Sequence, residues 1–195
     1  MSSIVYQVNL TSWWHTSSGL SSGTDANLVV IKNLERLPFI PGKTLKGLLR
    51  EAASKINRLQ PNMVTEEFIT DVFGIGEDHG KAVLAESICF FGNAYLSQRL
   101  SENIIKESQQ DLLYSNLAST EINSAGVAVD KSLRTIEVTI PLTLYANIEA
   151  FPNKEEKKYL QQLKYCMQWI KRLGLNRTRG LGRCEFKIIK PKADK

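Results

Sequence analysis

Residues Leu37–Arg50 read LPFIPGKTLKGLLR and combine an apolar segment, a turn and the beginning of a helix. Pro41-Gly42 is a turn signal that interrupts the apolar run. From Thr44 onward, apolar residues recur at helical spacing and form one stripe. The residues of this stripe are Leu45, Leu48, Leu49, Ala52, Ala53 and Ile56. The sequence therefore predicts an amphipathic helix directly after the turn.

Three cations lie on the opposite face of this helix. At 100° per residue, Lys43, Lys46 and Arg50 fall within roughly 60° of one another. Positive charge is unfavourable in the first turns of a helix because of the macrodipole, and helix N-termini readily bind phosphate. The residue types leave two interpretations open: an anion-binding surface, or an ordinary solvated helix face.

A second basic segment follows the last predicted helix. Residues Gly174–Gly182 read GLNRTRGLG, and the window from Lys157 to Cys184 contains eight Lys and Arg residues and no acid. Glycine permits positive φ angles and close backbone approach, while Arg177 and Arg179 could bind phosphates through their planar guanidinium groups. The alternative is a glycine-rich turn between a helix and a strand, with solvated charges.

The segment His15–Asp25 is rich in Ser, Thr and Gly, and Asp25 is the only carboxylate among the first 34 residues. Its hydroxyls and backbone amides could bind phosphate and ribose. An isolated aspartate in such a loop is also typical of a turn or cap residue. His15 follows two tryptophans, which is typical of a packed or base-stacking residue.

Alternation of apolar and polar residues predicts the strands of the main sheet. It indicates a first strand over Ile4–Leu10 and a final strand over Arg183–Ile189. The longest alternation runs from Ile136 to Ile148 and predicts one long strand whose even-numbered side chains face the core. Pro141 on its other face indicates an edge strand or a bulge.

A second main helix is predicted over Lys154–Leu173. Residues Tyr114–Arg134 lack sustained periodicity and are rich in Ser, Asn and Thr, so we expect a long loop or a projecting hairpin there. Strands and helices in this order, without a repeated strand–helix–strand array, indicate the α+β class. We expect residues 1–195 to form one domain.

Composition and sequence pattern indicate the class of partner and the cellular compartment of the protein. The net charge of +5 favours a polyanionic partner. The sequence has no signal-peptide pattern and no apolar run of membrane-spanning length, so we expect a cytoplasmic protein. Cys89, Cys166 and Cys184 are too widely spaced for a zinc or disulfide pattern and are expected to be buried.

The run LPFIPGKTLKGLLREAA resembles the signature of the CRISPR-associated RAMP superfamily (repeat-associated mysterious proteins), where a similar run opens the first helix. In the C-terminal loop, Thr178, Arg179, Gly180 and Gly182 fit the glycine-rich loop that precedes the last strand in that family. The resemblance implies a ferredoxin-like, RRM-type fold with insertions, one of them a thumb-like β-hairpin around residues 112–134.

The resemblance is strongest to the backbone subunits of type III effector complexes, in which the loop after the first strand carries an aspartate that cuts target RNA. Asp25, followed by Val30-Ile31-Lys32-Asn33, fits that layout. The implied reaction is attack of the substrate's own 2′-hydroxyl on the next phosphate. Asp25 would be the catalytic residue and the ligand of a divalent metal, Mg²⁺ or Mn²⁺.

The same resemblance implies guide crRNA and complementary target RNA as ligands, with other effector subunits, copies of this chain or paralogous backbone subunits as neighbours. The implied RNA-binding residues are His15, Lys43, Lys46, Arg50, Asn176, Arg177, Arg179, Gly180, Lys131 and Arg134. Ile122 and Val127 would form the wedge of the thumb-like hairpin.

Two alternative functions stay open. The chain could be a structural crRNA-binding subunit without catalysis. It could also be a crRNA-processing endoribonuclease that uses His15, although the IPG-x-[ST]-LKG helix and the long thumb-like segment disfavour that interpretation.

Overall fold

Four antiparallel strands form the main sheet of the protein. The structure, a computed structural model, describes residues 2–17, 28–74, 86–151 and 156–189. In order across the sheet, the strands are β2 (Phe90–Phe91), β5 (Thr143–Phe151), β1 (Ser2–Leu10) and β6 (Cys184–Ile189). β1 is therefore central and pairs with both β5 and β6.

Two helices supply the core that covers one face of this sheet. They are α1 (Gly42–Leu59) and α4 (Glu156–Trp169). Five of the six residues in the apolar stripe of α1 are buried as their spacing predicts, while Leu48 is half-buried. Leu49 is fully inaccessible to solvent. Tyr6 and Val8 of β1 belong to the same core. Truncating a side chain such as Leu49 to Ala in a core of this kind costs about 2–5 kcal/mol.

The remaining elements are insertions into a ferredoxin-like arrangement. The first lies between α1 and β2, and the others lie between β2 and β5, which are the second and third strands of that arrangement. The insertions are α2 (Glu66–Phe73), α3 (Gln98–Lys106), a 3₁₀-helix (Gln110–Leu113), β3 (Tyr114–Ser119) and β4 (Arg134–Thr139). Without these insertions the order is strand, helix, strand, strand, helix, strand. The prediction of an α+β, ferredoxin-like fold with insertions is confirmed.

The segment expected to be a long loop or a hairpin is a hairpin. β3 and β4 form their own two-stranded sheet, with Tyr114 opposite Thr139 and Ser119 opposite Arg134. Residues 120–131, at its far end, are all exposed. The hairpin is attached to the body at its base, where the Trp14 N–H donates to the Thr139 carbonyl over 3.0 Å.

The prediction of one long strand from Ile136 to Ile148 is wrong. The chain forms β4 up to Thr139 and β5 from Thr143, with Pro141 in the gap. Proline has no N–H for a strand ladder, so it favours an interruption. The two halves then pair with different strands, β4 with β3 and β5 with β1 and β2.

The second main helix is shorter than its periodicity predicts. It ends at Trp169, and the Leu173 N–H donates instead to the Gly182 carbonyl over 2.9 Å. Residues 152–155, which include the predicted start, lie outside the described residues. Cys89, Cys166 and Cys184 are buried free thiols, as expected. Among the described helices, none is long and apolar enough to cross a membrane.

Candidate functional site

The exposed face of α1 is cationic from its first turn. Lys43 is exposed, Lys46 and Arg50 are half-buried, and the first turn contains no acidic residue. Gly47 lies on the same face, is exposed, and has no atom within 4 Å of the position that a Cβ would occupy. The helix thus presents three cations around a patch of bare backbone.

The start of α1 is fixed by close packing against the sheet. A Cβ on Gly42 would lie 2.0 Å from the Phe91 carbonyl oxygen, so only glycine allows this approach. The Gly42 N–H donates to Asn93 Oδ1 over 2.8 Å, which satisfies one of the free donors of the first turn. Lys46 Nζ lies 5.9 Å from the centroid of the Phe91 ring.

The C-terminal loop between α4 and β6 is a compact turn with exposed cations. The Arg179 N–H donates to the Asn176 carbonyl over 2.8 Å, and Asn176 has a positive φ of 53°. Arg177 and Arg179 are exposed. Gly180 has a φ of 93°, and no atom lies within 4 Å of the position that its Cβ would occupy, so its backbone is open to solvent.

The structure brings this loop beside α1. Arg177 Nη1 lies 3.8 Å from Glu51 Oε2, one residue beyond Arg50. The hydrogen bond from Lys55, together with the charges of Lys55 and Arg177, holds the pKa of the Glu51 carboxyl below its usual range. Since both partners are exposed, this ion pair adds little stability, but it joins the two basic segments into one surface.

A groove of about 990 Å³ extends this basic surface along α4 and β6. Its cationic lining residues are Lys164, Lys171, Arg172, Arg177, Arg183 and Lys187, and Glu185 is the acid among the lining residues. Some of the eight cations between Lys157 and Cys184 therefore line one concave surface.

His15 is fully buried between the C-terminal loop and β4. Its ring Nδ1–H donates to the Glu137 carbonyl over 2.6 Å, and its own carbonyl accepts from the Leu175 N–H over 2.9 Å. A Cβ on Gly174 would lie 2.2 Å from the His15 carbonyl oxygen. The structure therefore packs the His15 ring inside the protein, which is the packed interpretation left open by the sequence.

A polar cluster at the base of the hairpin was not singled out by the sequence. The Glu137 carboxylate accepts from Lys32 Nζ over 2.7 Å and from the Val30 N–H over 3.0 Å. Lys32 Nζ also lies 4.0 Å from the centroid of the Tyr114 ring. Burial, and after it the Glu137 carboxylate, raise the pKa of the Tyr114 phenol.

The sequence matches one known family over most of its length. The family model of the RAMP superfamily matches residues 8–185. The chain belongs to the RAMP superfamily. No curated protein matches the sequence.

Two cryo-EM structures of the type III-B Cmr-beta contain chains similar to this RAMP protein. The chain in the structure bound to cognate target RNA is 12% identical, with a TM-score of 0.68 over 96% of this chain and 97% of that one. The chain in the apo state is 13% identical, with a TM-score of 0.70 over 97% and 98%. At these identities the likeness shows a shared fold across the whole length.

The remaining candidate residues of this RAMP protein fall into two groups. Lys131, Arg134, Ile122 and Val127 lie on the hairpin, where Ile122 is 63% and Val127 59% exposed. Asp25 lies outside the described residues. Within residues 2–17, 28–74, 86–151 and 156–189, no three His, Cys, Asp or Glu side chains come together as a group that could hold a metal.

Proposed function

We propose that this RAMP protein is a cytoplasmic backbone subunit of a type III CRISPR effector complex, which binds guide crRNA and cleaves complementary target RNA. One observation carries the proposal: the cationic face of α1 and the Arg177 loop form one surface, with bare backbone at Gly47. Membership of the RAMP superfamily and a fold shared with chains of type III-B Cmr-beta support it.

The cationic surface suits the phosphate backbone of a guide. Lys43, Lys46 and Arg50 would bind phosphates, and Asn176, Arg177, Arg179 and Gly180 would contact the same strand from the C-terminal loop. Such contacts carry no base information, and they leave the guide bases free to pair with a target.

Gly47 gives a specific reason to expect close approach of a ligand. A glycine in a helix interior costs about 0.5–1 kcal/mol of stability relative to alanine. Among the described residues no contact accounts for it, since nothing lies within 4 Å of its missing Cβ. A polyanion that lies against the α1 backbone between Lys46 and Arg50 would account for it.

The hairpin suits a second role on the guide–target duplex. Ile122 and Val127 are the two most exposed large apolar residues at the end of the hairpin, where Val129 is also exposed. Apolar side chains of this kind can separate neighbouring bases when they insert into a duplex. Lys131 and Arg134 would hold the adjacent phosphates. We propose that the hairpin opens the duplex at the position of cleavage.

Cleavage would proceed by attack of a target-strand 2′-hydroxyl on the adjacent phosphorus. The 2′-oxygen–phosphorus bond forms, the bond to the 5′-oxygen breaks, the 2′-hydroxyl loses its proton and the 5′-oxygen gains one. The products are a 2′,3′-cyclic phosphate and a 5′-hydroxyl. In-line alignment and neutralisation of phosphate charge are the main requirements. The Asp25 carboxylate would hold a Mg²⁺ or Mn²⁺ ion, which supplies that neutralisation.

The test is cleavage of a matching target RNA by the complex purified with its guide, in Mg²⁺ or in EDTA. We expect Asp25→Ala to abolish cuts without weakening guide binding, and Asp111→Ala, at an exposed aspartate paired with Arg36, to cut as wild type. Cuts that persist in Asp25→Ala would assign the chain a structural role. Cleavage of a CRISPR repeat hairpin by the isolated chain would instead indicate guide processing.

A further inference from the structure

Glu137 on β4 uses both its backbone and its side chain to hold two other segments of the chain. Its carbonyl accepts from His15 Nδ1–H over 2.6 Å, and its N–H donates to the Leu28 carbonyl over 2.9 Å. Its carboxylate accepts from the Val30 N–H over 3.0 Å and from Lys32 Nζ over 2.7 Å. At this position β4 therefore binds the body of the protein on the side away from β3.

The two segments held by Glu137 are the two flanks of residues 18–27, and this stretch contains Asp25. His15 precedes it, and Leu28, Val30 and Lys32 follow it. The flanks also contact each other, since the Ile31 N–H donates to the Thr16 carbonyl over 2.9 Å. Joining two ends of a chain segment costs entropy, so a residue that binds both ends contributes directly to fixing them.

The setting of the Glu137 carboxylate strengthens this attachment. Its side chain is only 14% exposed, so its pair with Lys32 is screened less by salt than a surface pair. Lys32 is held from the other side by the Tyr114 ring on β3. Both strands of the hairpin are thus connected to the flank that follows Asp25.

We infer that Glu137 is a positioning residue that couples the β3–β4 hairpin to the two flanks of the stretch that contains Asp25. The hairpin that opens the duplex and these two flanks are then held in one fixed relation. Glu137 acts through the two flanks and does not touch substrate. This inference rests on the proposed function, because it assigns Glu137 a role in cleavage.

The variants are chosen to separate coupling from simple folding. Glu137→Gln keeps the shape of the side chain but leaves either the Val30 N–H or the Lys32 ammonium without its acceptor. Glu137→Ala removes both acceptors, and Lys32→Met removes the cation alone. Glu107→Ala, an exposed glutamate at the end of α3, is the matched control.

The first measurement is single-turnover cleavage of target RNA by the assembled complex, with target affinity measured in EDTA. We expect Glu137→Ala to slow cleavage by about ten- to a hundredfold with unchanged target affinity, since small displacements of reacting groups carry such costs. Glu137→Gln should retain more activity than Glu137→Ala, and the control should match wild type. Wild-type cleavage by Glu137→Ala, or an equal loss of affinity and rate, would overturn the inference.

The second measurement is amide hydrogen exchange over residues 28–33 in the same complexes, which does not depend on activity. In wild type, target RNA bound by the hairpin should slow exchange in this flank. Glu137→Ala should raise exchange there by about tenfold or more and remove the response to target RNA. Exchange that matches wild type would overturn the coupling.

The two measurements also separate this inference from the proposed function. If the wild-type complex does not cut, or if Asp25→Ala cuts normally, the proposed cleavage role fails. If target RNA slows amide exchange over residues 28–33 in wild type but not in Glu137→Ala, the coupling of hairpin and flank is still supported. If target RNA slows exchange in both, the coupling is contradicted.

Discussion

Gly42 and Phe91 approach so closely that a Cβ on the glycine would lie 2.0 Å from the phenylalanine carbonyl oxygen. This contact locks the first turn of α1 to β2 and therefore sets where Lys43 and Lys46 stand. Gly42 is thus required for the packing of α1 against β2 as well as for the turn.

Gly42→Ala should consequently destabilise the whole chain. The added methyl group forces α1 and β2 apart, and overpacking of this kind costs about 1–3 kcal/mol. Chemical denaturation should show a lower free energy of unfolding with an unchanged denaturant dependence. An unchanged free energy of unfolding would mean that the helix start can shift without cost.

Gly47→Ala is the matched variant on the same helix, and it should separate stability from function. Its Cβ meets no atom within 4 Å, so the free energy of unfolding should rise by about 0.5–1 kcal/mol. Guide crRNA should nevertheless bind more weakly, because the methyl group occupies the surface on which the RNA would lie. If the variant is more stable but binds guide crRNA as tightly as wild type, Gly47 is not part of the RNA-binding surface.

Salt dependence should identify the cations that contact the guide. For single-stranded nucleic acid, log affinity decreases with log salt, and the magnitude of this slope decreases by about 0.7 for each phosphate contact removed. We expect a decrease of about this size in each of three variants: Lys43→Ala, Arg177→Ala and Arg179→Ala. Lys106→Ala, at an exposed position at the end of α3, should leave it unchanged. Equal slopes in all four variants would place the guide elsewhere.

Sequence periodicity predicted the elements that bury one face, because burial imposes a repeat on neighbouring residues. The stripe of α1 and the alternation in β1 are of this kind. The prediction of a single strand from Ile136 to Ile148 was wrong because it relied on the same repeat. The alternation continues across Pro141, while the partner strands change, and partner choice is decided by distant parts of the chain.

The polar cluster at the hairpin base could not be read from local pattern. The side-chain partners of Glu137 lie 105 and 107 residues away, and the His15 ring that binds its carbonyl lies 122 residues away. Glu137 belongs to the polar half of an alternating run, where an ordinary solvated side chain is the usual expectation. Only the fold places it between the two flanks.

The three cysteines should make the protein sensitive to alkali but resistant to alkylation. Burial raises the pKa of Cys89 to about 11 and of Cys166 and Cys184 to about 12. A raised folded-state pKa means that stability is fully present below the unfolded value near 8.5 and is lost as pH rises above it. Iodoacetamide at pH 8 should therefore modify the thiols only after unfolding. Rapid labelling of the native chain would contradict their burial.

The hairpin tip should be dispensable for folding and required for cutting. Ile122→Ser and Val127→Ser change residues that are 63% and 59% exposed, so the free energy of unfolding should shift by less than about 0.5 kcal/mol. Guide binding should also persist, because the tip is separate from the cationic face of α1. Cleavage of target RNA by the assembled complex should fall, since the duplex is no longer opened.

Leu112→Ser is the control for the hairpin variants, since Leu112 is equally apolar, 70% exposed and outside the hairpin. Fluorescent base analogues in the target strand would report duplex opening independently of cleavage. We expect their signal to drop with the Ile122 and Val127 variants and to stay with the Leu112 variant. A full opening signal in the double variant, with cleavage intact, would show that the hairpin binds the duplex without inserting into it.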